Sequence, residues 1–70
     1  MFYVIEVSTN LDGITAKAIT EKNTKVEAEM LYHQIMASML ANPKVVSGIC
    51  TVIDNTARQY HELTSVYVAS

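Results

Sequence analysis

Hydrophobic and polar positions fall into five successive patterns along the chain, and the first two predict strands. Residues 2–7 are bulky or β-branched and predict a strand that ends at the polar turn STNLDG, where Asp12-Gly13 is typical of a hairpin. Residues 14–20 alternate imperfectly and predict a second strand at the edge of a sheet. Lys17 would protect that edge against pairing with other chains.

A helix is predicted over Lys25–Ala41, and both of its ends carry a local signal. Thr24 is followed three residues later by Glu27, the spacing of a capping box, in which each side chain bonds a backbone N–H that the first helical turn leaves free. Asn42-Pro43 ends the helix, because proline disfavours helical geometry in the residue before it and has no N–H to donate.

The rest of the chain predicts two more strands. Val45–Asp54 is predicted to be a strand, Asp54-Asn55-Thr56 a turn and residues 58–68 the final strand. The order is therefore ββαββ, in a single domain spanning residues 1–70. We expect an α+β fold in which one helix packs on one face of a four-stranded antiparallel sheet.

The predicted helix has two apolar stripes, of which a sheet would cover one. The stripe expected to pack on the sheet consists of Ala28, Leu31, Tyr32, Ile35 and Met39. The stripe on roughly the opposite side consists of Val26, Met30, Ala37 and Leu40, with His33 among them. The polar band between the stripes consists of Glu27, Gln34 and Ser38.

The third strand is also apolar on both of its predicted faces. The two sets are Val45, Ile49 and Ile53 on one face and Val46, Cys50 and Val52 on the other. Because one helix covers one face of a sheet, the spare faces of the helix and the sheet together predict a homo-oligomer. A dimer is the default, since a two-fold axis makes one patch self-complementary; a ring or tetramer that uses the two faces separately is the alternative.

Composition narrows the class of partner. Five basic and seven acidic residues give a net charge of −2, and the basic residues are scattered, so duplex nucleic acid is not an expected partner. No apolar run approaches the roughly 18 residues of a membrane span, and the amino terminus lacks the basic region of a signal peptide, so we expect a cytosolic location. Cys50 is the single cysteine and is predicted to be a small buried hydrophobic residue.

The sequence carries no catalytic motif and no metal-ligand spacing, so we expect neither an enzyme nor a cofactor. Tyr32 and His33 are the first candidates for binding a ligand. His33 has two interpretations: a polar residue beside an interface, which is favoured, or a donor to an anionic ligand in a cleft between subunits. Tyr32 is expected to pack at the edge of the helix face that meets the sheet.

A second set of candidates lies on the strands and turns. Arg58 and Tyr60 are two positions apart, so they share a strand face and form an aromatic-plus-cation element suited to a phosphate or carboxylate. Thr9 and Asn10 would present a hydroxyl and an amide to a ligand, although any hairpin favours such residues. Glu6 emerges at the sheet edge or, if buried, needs Lys17 or a ligand hydroxyl as its partner.

The segments FYVIEV, TNLDG and EAEMLYHQIMA together resemble a group of short, uncharacterised proteins from phages and prophages of gut Gram-positive bacteria. Those proteins share a YVIE strand, a TN-x-DG turn and an EA-x-x-x-YH-x-I helix. The resemblance covers about the first 40 residues, and the second half matches in pattern alone. No catalytic residue is carried over.

The resemblance implies a function of a particular kind. Several phage families of small homo-oligomers sequester nucleotide signals of bacterial defence, such as cyclic ADP-ribose derivatives or cyclic dinucleotides, in pockets between subunits. A protein of that kind needs preformed clefts with aromatic rings and phosphate donors, which Tyr32, His33, Arg58 and Tyr60 would supply. The alternative is an interaction or structural module whose spare faces dock onto a host or phage protein.

Overall fold

The computed structural model describes residues 1–69, which form one helix and four strands. The elements are β1 (Phe2–Asn10), β2 (Thr15–Lys22), α1 (Lys25–Ala41), β3 (Val45–Asp54) and β4 (Gln59–Val68). The strands form one sheet in the order β2-β1-β3-β4, and each neighbouring pair is antiparallel. The predicted ββαββ order and α+β fold are confirmed, and the helix lies on one face of the sheet.

The first hairpin is longer than the pattern predicts. β1 continues through Ser8 and Thr9 to Asn10, because these polar residues pair with strands on both sides: Thr9 lies opposite Thr15 of β2 and Ser47 of β3. Hydrogen bonds from two neighbours therefore outweigh the low strand propensity of a polar segment. β2 is an edge strand, as predicted.

The helix begins and ends where its local signals predict. Thr24 has an extended backbone, and its hydroxyl oxygen accepts a hydrogen bond from the N–H of Glu27 at 3.2 Å. The expected return bond differs: the Glu27 carboxylate accepts from the Thr24 hydroxyl at 3.1 Å instead of from a backbone N–H. Asn42 is extended before Pro43, and its side-chain oxygen accepts from the N–H of Lys44 at 3.0 Å.

The core lies between the helix and the middle of the sheet. Its buried residues are Val4, Ala28, Tyr32, Cys50, Val52 and Leu63, with Met39 buried nearer the helix C-terminus. Tyr32 also bonds its hydroxyl to that of Ser65 on β4, which fixes the rotation of the helix over the sheet. The helix lies mainly over β3 and β1, so residues 15–21 of β2 are exposed on both faces.

The opposite face of the sheet, here called the open sheet face, carries no covering element within residues 1–69. Its apolar side chains are Tyr3, Ile5, Val7, Ile19, Ile49, Ile53, Val66 and Val68. Ile19, Val66 and Val68 are each about 70% exposed. Val26, Met30 and Leu40 of the second helical stripe are exposed as well. One chain thus leaves both spare faces uncovered, as the sequence predicts.

The prediction that Val45 shares a sheet face with Ile49 and Ile53 is wrong. The register between β1 and β3 shifts at Thr9 and Asn10, so that Asn10 lies opposite Val45 while Thr9 lies opposite Ser47. This bulge turns Val45 toward the helix side, where it lines a groove with Met39. Alternation fails here because it assumes an unbroken ladder.

Candidate ligand-binding site

Thr9 and Asn10 are occupied by the first hairpin. The Thr9 hydroxyl is 3.0 Å from the Thr15 hydroxyl across the strand pair. The side-chain oxygen of Asn10 accepts hydrogen bonds from the backbone N–H groups of Asp12 at 2.9 Å and Ile14 at 3.0 Å. These bonds hold the turn in which Gly13 has a positive φ of 77°. Both side chains therefore have structural partners already.

Tyr32 and His33 diverge from one another around the helix. Tyr32 is buried, while the His33 side chain is 65% exposed. The two rings meet edge to face with centroids 5.1 Å apart, and His33 Nε2 is 3.9 Å from a carboxylate oxygen of Glu29. His33 is thus a surface residue in one chain, and it lines none of the grooves described below.

Arg58 and Tyr60 do come together, in what we call the Tyr60 cluster: Lys25, Asp54, Arg58, Tyr60 and Glu62. The Lys25 ammonium is 4.8 Å and the Arg58 guanidinium 5.3 Å from the Tyr60 ring centroid. The Tyr60 hydroxyl donates to Asp54 Oδ2 at 3.1 Å, and Lys25 pairs with Glu62 at 3.1 Å. Two cations already contact the ring, so it is poorly placed to stack on a ligand base.

Hydrogen bonds, partial burial and neighbouring charges shift the pKa of three groups in the Tyr60 cluster. Hydrogen bonds from the Thr56 hydroxyl and from the backbone N–H groups of Arg58 and Thr56 lower the pKa of Asp54 to about 2. Partial burial and the neighbouring Asp54 carboxylate raise the pKa of Tyr60. The pKa of Glu62 is lowered by its own backbone N–H and by Lys25. The cluster is an internally balanced network on the surface beside β4.

The candidates predicted from sequence therefore do not form one site. Tyr60 contacts Phe2 at the start of β1, with ring centroids 5.9 Å apart, whereas Thr9 and Asn10 lie at its other end. At about 3.3 Å per residue, seven positions of strand separate Phe2 from Thr9 by roughly 23 Å.

A polar groove lies elsewhere, between the C-terminal half of the helix and the β1 strand. This groove, here called the Glu6 groove, has a volume of about 290 Å³. Its lining residues are Glu6, Ser8, Gln34, Ile35, Ser38, Met39, Asn42 and Val45. A carboxylate, hydroxyls and amides thus converge beside three apolar side chains, so the lining is richer in polar groups than the mostly apolar lining of a typical small-molecule site.

The Glu6 groove exists because the helix is displaced away from β2. Ala16 and Ala18 lie opposite Ser8 and Glu6 in the ladder, and their small side chains leave the helix side of β2 open. A second hollow of about 100 Å³ there is lined by Glu6, Ser8 and residues 16–18, so the concavity continues onto β2. A third, of about 210 Å³, is lined by Lys22, Glu27, Met30, Leu31 and Gln34.

Glu6 has no ion-pair partner in the part of the chain that the structure describes, where the pairs are Lys25 with Glu62 and His33 with Glu29. Glu6 is half-buried and lies next to Cys50 in the core. The pKa of the Cys50 thiol is raised to about 11, first because the thiol is buried and second because the Glu6 carboxylate is near. A half-buried carboxylate without a cation favours a ligand hydroxyl or amine as its partner.

Sequence reasoning missed the Glu6 groove as a site, although two signals pointed to it. Glu6 interrupts an apolar strand on the face that packs toward the helix, and Ala16 and Ala18 are too small to fill the space beside it. The polar band of Gln34 and Ser38 is the helix wall of the groove.

Within residues 1–69 there is no group of three or more His, Cys, Asp or Glu side chains that would hold a metal ion. In the same residues no helix is both long and apolar enough to cross a membrane. The fold and the groove define an α+β protein with a small polar cleft at the edge of its helix. Comparison with protein-family models, with curated proteins and with solved structures found no match.

Proposed function

We propose that this protein is a homo-oligomeric small-molecule binding protein whose ligand is nucleotide-like, and that it sequesters the ligand without changing it. The observation that carries the proposal is the Glu6 groove, in which a carboxylate without a cation partner meets amide and hydroxyl side chains. The phage-like motifs of the first 40 residues favour a nucleotide signal of bacterial defence, such as a cyclic ADP-ribose derivative or a cyclic dinucleotide.

The chemistry of the groove suits the sugar of such a ligand. Acidic side chains bind ribose hydroxyls in nucleotide sites, because an ionised carboxylate accepts two hydrogen bonds. Gln34 and Ser38 would add donors and acceptors from the helix wall, and Ile35 and Met39 would contact an apolar surface. Sequestration requires a preformed cleft and no catalytic group.

The size of the groove favours a site shared between subunits. Its volume of about 290 Å³ is just below the roughly 300–1,000 Å³ typical of ligand pockets. One groove therefore accommodates part of a nucleotide, and a second subunit would enclose the rest. The uncovered apolar faces of the helix and the sheet favour such an assembly.

Calorimetric titration with a panel of cyclic ADP-ribose derivatives, cyclic dinucleotides and plain mononucleotides tests the proposal. Ser38→Phe would fill the groove, because Ser38 lines it, whereas Ala41→Phe adds the same ring at an exposed helix position outside the groove and is the matched control. We expect one compound to bind wild type and Ala41→Phe, to bind Ser38→Phe at least about tenfold more weakly, and to be recovered intact. Absence of binding throughout the panel would contradict the proposal.

A second candidate function rests on the open sheet face. Eight apolar side chains on one uncovered face favour an interaction module that docks onto a host or phage protein. Val66→Asp would place a charge on the edge strand β4 of that face without touching the Glu6 groove. Recovery of one stoichiometric protein partner with wild type, lost with Val66→Asp, would favour this function over ligand binding.

A further inference from the structure

The free edge of β2 presents a regular row of backbone donors and acceptors. Asn10 donates its N–H to the Ile14 carbonyl at 3.0 Å, which sets the phase of hydrogen bonding in the first hairpin. Every second residue of β2 after Ile14 therefore bonds to β1, because backbone groups alternate sides along an antiparallel strand. The residues between, including Lys17, Ile19 and Glu21, direct their N–H and C=O groups away from the sheet.

The side chains at the same positions are self-complementary. Lys17, Ile19 and Glu21 lie on the open sheet face, opposite Val7, Ile5 and Tyr3 in the ladder. In an antiparallel pairing with an identical strand centred on Ile19, Lys17 of each copy would face Glu21 of the other. Two opposite-charge pairs would then flank an Ile19–Ile19 contact, and cross-strand pairs of this kind stabilise sheets.

We propose that β2 pairs with β2 of a second copy about a two-fold axis at Ile19, joining two four-stranded sheets into one of eight strands. This inference deepens the proposed function and rests on its homo-oligomeric part, not on the identity of the ligand. Lys17 then has a role besides guarding the edge, since in this register it meets a carboxylate instead of a like charge.

The other edge of the sheet fits a second copy less well. β4 has a register irregularity opposite Thr51 to Ile53, so a regular ladder is available only along its C-terminal half. Pairing there about Val66 would put Thr64 opposite Val68, with no charges to select the register. Charge complementarity therefore favours β2.

The same register would complete the Glu6 groove. On the helix side of β2, Ala16 would face the partner subunit's Lys22, and Ala16 is the ladder neighbour of Ser8 in the groove. The two grooves would open into one trough between the two helices, floored by the small residues of both β2 strands. Since the groove of one chain contains no cation, the partner subunit's Lys22 would supply the charge that a ligand phosphate needs.

A charge-swap series tests the register in solution. Lys17→Glu and Glu21→Lys should each weaken the dimer at least about tenfold, because each replaces two attractive pairs with two repulsive ones. The double variant K17E/E21K restores both pairs and should dimerise within about threefold of wild type. Sedimentation equilibrium measures all four proteins. Singles that dimerise like wild type, or a double variant as weak as the singles, would overturn the β2 pairing.

A disulfide gives an independent readout. Directly opposed residues of a hydrogen-bonded antiparallel pair have Cα atoms about 5.5 Å apart, within the range of a disulfide, so Ile19→Cys should cross-link two copies under mild oxidation. Ala16→Cys is the control: in the proposed register the two position-16 residues are about 20 Å apart. Cys50 is buried and contributes no background.

The β2 pairing and the ligand-binding function can be refuted independently of one another. A wild-type dimer without charge-swap rescue and without Ile19→Cys cross-linking would overturn the β2 pairing while leaving the ligand-binding proposal in place. Cross-linking at Ile19 together with no binding throughout the nucleotide panel would support the pairing and contradict the proposed function.

Discussion

Gly48 of β3 lies directly beneath Met39 of the helix. A Cβ atom at position 48 would come within 2.6 Å of the Met39 sulfur and 3.0 Å of the Val7 carbonyl oxygen. The missing side chain therefore lets the C-terminal half of the helix approach the sheet closely enough to bury Met39, and this approach forms one wall of the Glu6 groove.

Gly48→Ala should lower the free energy of unfolding by about 1 kcal/mol, the lower end of the usual cost of overpacking, because the flexible end of the Met39 side chain can shift while the Val7 carbonyl cannot. Urea denaturation measures the change. Gly13→Ala is the contrasting variant, because nothing lies within 4 Å of a Cβ atom at position 13. Any loss of stability in Gly13→Ala would come from backbone strain, since Gly13 has a positive φ of 77°. Combining Gly48→Ala with Met39→Ala should cost less than the sum of the two. A Gly48→Ala protein as stable as wild type would refute the close approach.

Stability should fall in acid through Asp54. Its pKa is lowered to about 2 in the folded protein from an ordinary value of 3.8, so its contribution is fully present well above pH 4 and is lost as the pH falls toward 2. Asp54→Asn should flatten the decline in the urea midpoint between pH 5 and pH 2. Asp12→Asn, in the other hairpin turn, is the matched control. An unchanged pH profile in Asp54→Asn would contradict this assignment.

The Cys50 thiol should be inert in the folded protein. Burial first, and the Glu6 carboxylate second, raise its pKa to about 11, and the thiolate is the reactive form. At pH 8 a disulfide reagent should therefore label Cys50 in the native protein only as fast as the core around Cys50 opens. In urea-unfolded protein it should label Cys50 at the rate of a free thiol. Rapid labelling under native conditions would show that the core over Cys50 is open.

Ligand affinity should separate the two candidate sites. Ser38→Phe, in the Glu6 groove, should weaken binding at least about tenfold, whereas Arg58→Gln and His33→Ala should stay within about twofold of wild type. Arg58 lies beside β4, two strands from the β1 residues of the groove, or about 10 Å across the sheet. Weak binding by Arg58→Gln together with wild-type binding by Ser38→Phe would instead make the Tyr60 cluster the site, as the spacing of Arg58 and Tyr60 in the sequence suggested. Lys44→Gln controls for the loss of one positive charge.

Much of the fold could be predicted from sequence because its signals are local. The capping residue Thr24 and the break at Asn42-Pro43 give the helix bounds, and alternation along β3 separates Cys50 from Ile49. Prediction failed where pairing overrides local pattern. Ser8 to Asn10 are strand residues because two neighbouring strands bond them, and the bulge that turns Val45 depends on the β1–β3 register.

The candidate site was harder to predict, because it depends on where the helix lies across the sheet. Arg58 and Tyr60 were correctly paired from their spacing, even though β4 begins at Gln59 and Arg58 precedes it. No spacing along the chain, however, brings Glu6 beside Gln34 and Ser38. That juxtaposition arises because the helix covers β3 and leaves β2 bare.

Native mass spectrometry of the wild-type protein, with and without the nucleotide panel, tests the central claim most directly, since it reports subunit number and bound ligand together. We predict an even-numbered assembly that gains the mass of one panel compound and releases that compound unchanged on denaturation. A 7.8 kDa monomer that gains no mass with any compound would contradict both the assembly and the binding function.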